Sequence, residues 1–242
     1  MERIITYETL RNFAYSNDLL IKTDIKGIVI EFYGLGGMTM YNNDLPDGIE
    51  YAEKGIVYII PYYNPWSWMN EAAVKLTDEI IEVIVNKYNL KNVKIVSTGK
   101  SMGGLSSLVY SRYAKITPIA CVANCPVCDL PYHFTERTDL PRTLYSAFFN
   151  YNMSLQEALK LNSPVHLVDE MPNIKYIIFH TEEDKAVNID KHSKLFVSLM
   201  EKEHDIKLIT IPNRGHCDLS VYKLVEFRET ILKSILGDWN GY

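Results

Sequence analysis

The sequence predicts an α/β protein with a mostly parallel central sheet, helices on both faces and a lid-like insertion. Two observations favour this class. Short runs rich in β-branched residues alternate with segments of helical periodicity. These runs are apolar throughout, as expected of parallel strands that are covered on both faces. Because the 242 residues contain no repeat and no flexible linker, we expect one domain spanning 1–242.

Six apolar runs are the predicted strands, at 27–34, 55–61, 93–98, 118–124, 174–180 and 206–211. Apolar residues three and four positions apart predict helices at 70–88, 189–202 and 219–236. A further helical pattern, "MGGLSSLVYSRYA", follows the third strand. Residues 1–25 are expected to contribute antiparallel edge strands before the alternating part begins.

A proline-punctuated and aromatic segment, at about 125–165, interrupts the alternation between the fourth and fifth strands. It is longer than an ordinary connection between two elements. We therefore expect an insertion that carries short helices and acts as a lid or cap.

The composition argues against several classes of partner. The chain has 25 Lys and Arg against 30 Asp and Glu, a net charge of −5, with no basic stripe for nucleic acid. Its first residues do not resemble a signal peptide, and no apolar stretch is long enough to span a bilayer. We expect a cytoplasmic protein that does not bind membranes, and the sequence does not indicate its oligomeric state.

Four cysteines, Cys121, Cys125, Cys128 and Cys217, are too few for a disulfide framework in a chain of this length. Cys125 and Cys128 have CxxC spacing, which occurs in zinc sites. Because no second CxxC is present, we expect these side chains to pack as small apolar groups, with no metal and no cofactor.

A candidate nucleophile is Ser101, in the Gly-x-Ser-x-Gly pattern formed with Gly99 and Gly103. A strand precedes it and a helix follows, which is the context that exposes a serine hydroxyl on a sharp turn. The helix directs free N–H groups towards any anion that forms beside that hydroxyl. The alternative is a tight strand-to-helix connection in which the serine only caps the helix.

A serine needs a base and a group that orients the base. Asp184 and His216 each follow a predicted strand, and the order Ser, Asp, His is that of the α/β hydrolases. Asp218 is the alternative acid, although it lies too close to His216 in sequence to reach around the ring easily. His180, at a strand end, is expected to satisfy a local hydrogen bond.

An oxyanion requires two backbone N–H donors. Met102, which follows the nucleophile, is one candidate. The glycine-rich "YGLGGM" at 33–38, here called the oxyanion loop, supplies Leu35 as the second, with Gly36 as the alternative. Another interpretation is that this loop is flexible and donates nothing.

Aromatic residues near these loops are candidates for substrate binding. The segment after the second alternating strand cannot bury all of its rings, and the insertion adds more rings and a histidine. Packing of the insertion onto the body is the alternative role for each. The candidate substrate-binding residues are Tyr33, Trp66, Trp68, Tyr132, His133 and Phe148.

The motifs "YGLGG", "GKSMGG", "HTEEDKAVN" and "RGHCDL" resemble the α/β-hydrolase superfamily, and within it the catalytic domain of the prolyl oligopeptidase family and related small esterases. The resemblance runs from about residue 26 onward. It implies an α/β-hydrolase fold with Ser101 as nucleophile, His216 as base and Asp184 as acid, and with Leu35 and Met102 as oxyanion donors. The departures are Tyr33-Gly34 where many relatives have His-Gly, Thr181 where glycine is common, and no propeller in this sequence.

These observations favour a serine hydrolase that cleaves small carboxylic esters, including acetyl or aryl esters of sugars, through an acyl-enzyme. A peptidase of the prolyl oligopeptidase family or an acyl-peptide hydrolase is the second hypothesis. The third is a binding module on a hydrolase fold, although such modules usually lack a member of the triad. The expected partner is a small-molecule ester.

Overall fold

A computed structural model describes residues 3–237 and builds them around one twisted sheet. The strands are β1 (Ala14–Ser16), β2 (Gly27–Phe32), β3 (Ile56–Pro61), β4 (Ile95–Lys100), β5 (Ala120–Asn124), β6 (Lys175–Thr181) and β7 (Ile206–Ile211). The helices are α1 (Pro46–Glu53), α2 (Glu71–Lys87), α3 (Met102–Tyr113), α4 (Leu130–Glu136), α5 (Leu140–Phe148), α6 (Leu155–Leu161), α7 (Leu195–Met200) and α8 (Val221–Leu236).

The strand order is β1-β3-β2-β4-β5-β6-β7, with β1 antiparallel to β3 and every other neighbouring pair parallel. Parallel pairing places the carboxyl ends of β4, β6 and β7 at one edge of the sheet. The segments that carry Ser101, Asp184 and His216 leave the sheet at that edge. Candidate residues far apart in sequence are thereby brought to the same end of the molecule.

Side chains that alternate along the strands build two cores, one on each face of the sheet. On the first face, Ile28 and Ile30 of β2 pack with α2 and α3. On the opposite face, Val29 packs with residues of α1 and α8, including Tyr51 and Ile235. Burial on both faces explains why the strands are continuously apolar, and the predicted fold class is confirmed.

The amino-terminal residues contribute one antiparallel strand within the described range, rather than several. Strand β1 is three residues long because Asn17 ends it. The Asn17 side chain accepts from Tyr58 N–H at 2.7 Å and donates to the carbonyl oxygens of Gly48 and Ile56. Residues 1–2 of the predicted segment lie outside the described residues.

Two further details differ from the sequence-based expectations. Helix α1 was not expected, because its eight residues begin at Pro46 and bury only Gly48, Tyr51 and Ala52. The predicted helix at 189–202 begins as a π-helix, Asp190–Lys194, and continues as α7. No helix within residues 3–237 is both long enough and apolar enough to cross a membrane.

The segment at 125–165, here called the insertion, contains α4, α5 and α6. The Asp129 side chain caps α4 by accepting from Tyr132 N–H, and Ser154 caps α6 with Glu157. The insertion is fixed to the chain that follows β3, where Trp68 Nε1 donates to Thr143 Oγ1 at 3.0 Å.

Candidate active site

Ser101 lies on a sharp turn between β4 and α3. Its backbone has φ +58° and ψ −123°, in the left-handed region that a residue with a side chain rarely adopts. The Ser101 N–H donates to the carbonyl of Asn124 at 2.9 Å, which ties the turn to the end of β5. Such strain persists only where the surroundings enforce it, and it is typical of functional sites.

The two glycines of the motif are required by space. A Cβ on Gly99 would lie 2.4 Å from the carbonyl oxygen of Gly103, and a Cβ on Gly103 would lie 2.1 Å from that of Phe32. Neither backbone oxygen can move without shifting β2 or α3. The turn therefore requires glycine at positions 99 and 103 for steric reasons.

We expect Gly103→Ala to lower the melting temperature by about 6–12 °C, because overpacking against backbone costs about 3 kcal/mol and a chain of this size loses roughly 2–4 °C per kcal/mol. Thermal unfolding followed by circular dichroism measures the change. Gly215→Ala is the matched control, since its Cβ would meet no atom within 4 Å. Equal melting temperatures for the two variants would contradict the steric explanation.

The side chains of Ser101, His216 and Asp184 form a line of hydrogen bonds. His216 Nε2 lies 2.9 Å from Ser101 Oγ, and His216 Nδ1 lies 2.7 Å from Asp184 Oδ2. A carboxylate only accepts, so the imidazole carries its proton on Nδ1. His216 Nε2 is then free to accept the proton of the Ser101 hydroxyl.

Asp184 is held on both of its oxygens. Oδ1 accepts from the N–H groups of Ala186 and Val187, each at 2.9 Å, while Oδ2 faces His216. Burial alone would raise the pKa of Asp184, but hydrogen bonds from His180, His216 and Val187 N–H outweigh it and hold that pKa far below its usual range. The side chain is therefore a fixed anion at neutral pH.

The structure also settles the position of the alternative acid and of His180. Asp218 is exposed and pairs with Arg214 at 3.2 Å, away from the imidazole. His180 is fully buried, and its Nε2 lies 3.1 Å from the carbonyl oxygen of Val187 and 3.3 Å from Asp184 Oδ2. The local hydrogen bond expected of His180 thus supports the loop that carries Asp184.

The two predicted oxyanion donors differ in where their backbone N–H groups lie in the fold. Met102 is the first residue of α3, so its N–H has no acceptor within the helix. In the oxyanion loop, Gly36 N–H donates to the carbonyl of Pro65 at 3.0 Å and is already occupied. Leu35 N–H makes no hydrogen bond to another residue in the described part of the chain. Of the two candidates in this loop, Leu35 has the available donor.

Three of the candidate substrate-binding residues are enclosed by protein. Trp68 is 1% exposed and bonded to Thr143, His133 is 2% exposed and bonded to Glu136, and Phe148 is 3% exposed in the core. This burial leaves no surface for a substrate in this conformation. Packing of the insertion onto the body is the role that the structure gives them.

The other three candidates are partly exposed. Tyr33 stacks against Tyr41 with ring centroids 6.4 Å apart. The Arg142 guanidinium lies over the Trp66 ring, with Cζ 4.9 Å from the ring centroid. Tyr132 packs edge-on against His192. Tyr33 lines a cavity to which Leu35 of the oxyanion loop also contributes.

Two cavities lie beside segments that carry candidate site residues. One, of about 520 Å³, is lined by Leu35 of the oxyanion loop and by Lys100, the residue before Ser101, together with Tyr33, Tyr41, Tyr58, Glu31 and Arg228. The other, of about 590 Å³, lies beside the imidazole and is lined by His216, Gly215, Ala186, Lys185, Glu183 and Arg137. The first cavity thus reaches the residue before Ser101, and the second reaches the hydrogen-bond partner of Ser101.

The cysteines of the CxxC pair point in different directions. Cys128 is buried in an apolar cluster with Cys121, whereas Cys125 Sγ lies 3.3 Å from Thr181 Oγ1. A hydrogen bond from the Cys217 thiol lowers the pKa of Cys125. Cys217 Sγ lies 3.6 Å from His216 Nε2, so one thiol adjoins the imidazole.

The fold resembles those of many solved hydrolases. An acylaminoacyl peptidase of Pyrococcus horikoshii superposes with a TM-score of 0.69 at 12% identity, covering 92% of this chain and 39% of its own. A thermophilic esterase of Thermogutta terrifontis, Est2, gives a TM-score of 0.67 at 20% identity, covering 95% of this chain and 90% of its own. A puromycin-hydrolyzing peptidase of Mycobacterium tuberculosis gives 0.72 at 15% identity, covering 89% and 35%. At these identities, the likeness establishes the fold.

Sequence comparison adds a curated relative and a family. A probable polyketide synthase of Dictyostelium discoideum is 23% identical over 215 residues, which are 84% of this chain and 7% of that protein. The chain thus spans a small part of that relative, and 39% of the Pyrococcus peptidase. The model of the prolyl oligopeptidase family matches residues 73–233, which include Ser101, Asp184 and His216. This match covers most of the chain, which therefore belongs to the prolyl oligopeptidase family and has the α/β-hydrolase fold.

Proposed function

We propose that this protein is a serine hydrolase that cleaves small carboxylic esters through an acyl-enzyme on Ser101. The observation that carries the proposal is the unbroken line of hydrogen bonds from Asp184 through His216 to Ser101, at a strained turn. Membership of a hydrolase family supports it. A serine held in this way has both a base and a group that orients the base.

The proposed reaction begins with Ser101 Oγ attacking the ester carbonyl. His216 Nε2 takes the hydroxyl proton as the new C–O bond forms, and the imidazole becomes a cation. Asp184 stabilises that cation across its 2.7 Å hydrogen bond and does not itself become protonated. Because Asp184 is fixed by loop N–H groups, the imidazole does not have to reorient before it acts.

The carbonyl oxygen of the substrate becomes an oxyanion in the tetrahedral intermediate. We assign its stabilisation to the N–H groups of Leu35 and Met102, which are not engaged in hydrogen bonds with described residues. Each such donor is worth roughly 3 kcal/mol in other enzymes. The dipole of α3 adds a favourable positive potential at the same place.

Collapse of the intermediate breaks the bond to the alcohol, which leaves with the proton from His216. A leaving group must therefore lie on the imidazole side, in the cavity of about 590 Å³ that His216 lines. The acyl part then occupies the side of the oxyanion loop, in the cavity of about 520 Å³. Water, activated by His216, completes the cycle by cleaving the acyl-enzyme.

The lining of the acyl-side cavity favours a flat or ring-shaped group. Tyr33, Tyr41 and Tyr58 present aromatic surface, on which an aryl or sugar ring can stack. Tyr33 is oriented by a hydrogen bond from its hydroxyl to the carbonyl of Thr39. We propose acetyl, aryl or sugar-linked esters of small size as the substrate class.

A peptidase or acyl-peptide hydrolase is the second candidate, and the specific observation in its favour is the match to the prolyl oligopeptidase family. Comparing p-nitrophenyl acetate and butyrate with aminoacyl p-nitroanilides separates the two. We expect kcat/KM to be higher for the esters by roughly 100-fold or more, because p-nitrophenolate leaves without protonation whereas the nitrogen of an anilide must be protonated by His216. Faster cleavage of the anilides would reverse the order of the two candidates.

A binding module without catalytic activity is the third candidate. A fluorophosphonate probe reacts with an activated serine and needs no knowledge of the natural substrate. We expect stoichiometric labelling of this protein, with the label on Ser101 in peptide mass analysis. A folded protein that takes up no label would favour the binding module.

A further inference from the structure

The insertion and the loop that carries Asp184 meet at one carboxylate, that of Glu136 at the end of α4. Here the loop at 184–188 is called the acid loop. Glu136 Oε1 accepts from the backbone N–H of Asn188 at 3.2 Å, where the acid loop ends. Glu136 Oε2 contacts His192 Nε2 at 2.9 Å and also His133 Nδ1. One side chain thus joins two segments more than 50 residues apart.

The neighbours of His192 fix the direction of its hydrogen bond. His192 Nδ1 lies 3.1 Å from the N–H of Cys128 and 3.2 Å from that of Asp129, and it accepts from both. A neutral imidazole that accepts on one nitrogen carries its proton on the other. His192 Nε2–H therefore donates to Glu136, and the same ring connects the beginning of the insertion to the end of α4.

His133, Glu136 and His192 form a cluster that could bind a metal or serve as a hydrogen-bonded support, and the tautomer of His192 distinguishes the two. The side chains of His133, Glu136 and His192 converge closely enough to serve as metal ligands. A metal on His192 Nε2 would displace the proton donated to Glu136, while Nδ1 would still be committed to two backbone donors. Metal-binding histidines normally donate from their second nitrogen. The cluster fits a hydrogen-bonded support better than a metal site.

Glu136 is an anion in a protected position. Its side chain is 12% exposed. Burial raises its pKa, but hydrogen bonds from His133 and His192 prevail and lower that pKa to about 2. Removing one partner of a buried and charged network leaves the others unpaired, so this contact is costly to lose.

The acid loop is short, so a constraint at Asn188 reaches Asp184. Val187 N–H donates to Asp184 Oδ1, and the Val187 carbonyl lies 3.1 Å from His180 Nε2. Asn188 is the next residue, and its N–H is held by Glu136. Glu136, from the insertion, therefore restrains Asn188, and His180, from β6, restrains the preceding residue, Val187.

We propose that Glu136 is a positioning residue through which the insertion holds Asp184 in line with His216. The inference rests on the proposed function, since it assigns Asp184 the role of orienting the base. The insertion is then part of the support of the site. Displacing α4 would release the acid loop.

The test replaces Glu136 with glutamine, which has nearly the same shape but one oxygen in place of two. Its NH₂ group must face either the Asn188 N–H or the two imidazole donors, so at least one contact sets donor against donor. We expect kcat for p-nitrophenyl acetate to fall by roughly 10- to 100-fold, with KM changed less than about threefold, because small misplacements of reacting groups cost this much. The proton on His216 Nδ1, in its 2.7 Å hydrogen bond to Asp184, is expected to give a low-field NMR resonance. We expect that resonance to shift or broaden beyond detection.

Two control variants separate this role from simple destabilisation. Glu182→Gln removes an exposed carboxylate two residues from Asp184, and we expect wild-type kcat and an unchanged resonance. Ser154→Ala removes the cap of α6 within the insertion, whose hydrogen bonds with Glu157 involve no member of the Glu136 cluster. We expect it to lower the melting temperature while leaving the resonance and kcat at wild-type values.

All variants are compared at a temperature where circular dichroism shows them folded. If Glu136→Gln does not fold, Glu136→Asp keeps the charge, shortens the reach, and is expected to shift the resonance in the same way. An unchanged resonance and kcat in a folded Glu136 variant would overturn the proposal. So would equal losses in Ser154→Ala. The resonance does not require turnover, so a wild-type protein that cleaves no ester would defeat the proposed function without deciding this inference.

Discussion

Replacing Ser101 by alanine is expected to lower kcat for ester hydrolysis by about 10⁶-fold and to abolish fluorophosphonate labelling. The methyl group has no proton for His216 Nε2 to remove and no oxygen to form the acyl-enzyme. The hydroxyl has a 2.9 Å contact with His216, whereas the core beneath it is unchanged by the substitution. We therefore expect the melting temperature to remain within about 2 °C of the wild type.

The measurement combines p-nitrophenyl ester turnover with gel detection of the labelled protein. Ser111→Ala is a suitable control, because Ser111 is buried on the same helix and bonds to the carbonyl of Ser107. It is expected to label normally. Labelling of the Ser101→Ala variant at the wild-type rate would show that another residue is the nucleophile.

Replacing Asp184 by asparagine is expected to reduce kcat by about 10⁴-fold. Asp184 accepts hydrogen bonds on both oxygens, from two loop N–H groups on one side and from His216 on the other. An amide has one oxygen and one NH₂ group, so one side must face donor against donor. Either the acid loop is displaced, or the imidazole changes tautomer and can no longer accept the serine proton.

Steady-state kinetics on p-nitrophenyl butyrate measures the loss, and Asp218→Asn provides the comparison. Asp218 is the nearest other acid in sequence to His216, but it is exposed and paired with Arg214. Its variant is expected to keep kcat within about twofold of the wild type. A loss in Asp218→Asn comparable to that in Asp184→Asn would contradict the assignment of the acid.

The elements that the sequence could predict are those determined by local patterning. Continuous apolar runs predicted β2 to β7 within about two residues at most ends, because both faces of the sheet are covered by helices. Parallel pairing then explains why Ser101, Asp184 and His216, each placed after a strand, lie within hydrogen-bond distance. Their chemical roles remain predictions until the substitutions above are made.

The direction of single side chains in irregular segments was not predictable. Trp68 was expected near a cleft, but Trp68 and Met69 have φ values of +46° and +51°, and the turn directs both side chains into the core. Two consecutive left-handed residues without glycine have no sequence signature. The contact between Glu136 and the acid loop was not predictable either. It depends on how α4 packs, and the sequence around Glu136 does not indicate that packing.

The left-handed backbone at Ser101 has a consequence for how this protein can be altered. An unfavourable dihedral of this kind costs of order 1–3 kcal/mol, which is a noticeable fraction of the stability of an ordinary domain. A substitution that relaxes this backbone would raise the free energy of unfolding but would also move the Ser101 hydroxyl out of its position beside His216. Substitutions intended to raise the melting temperature should therefore be placed in the outer helices, with this turn left unchanged.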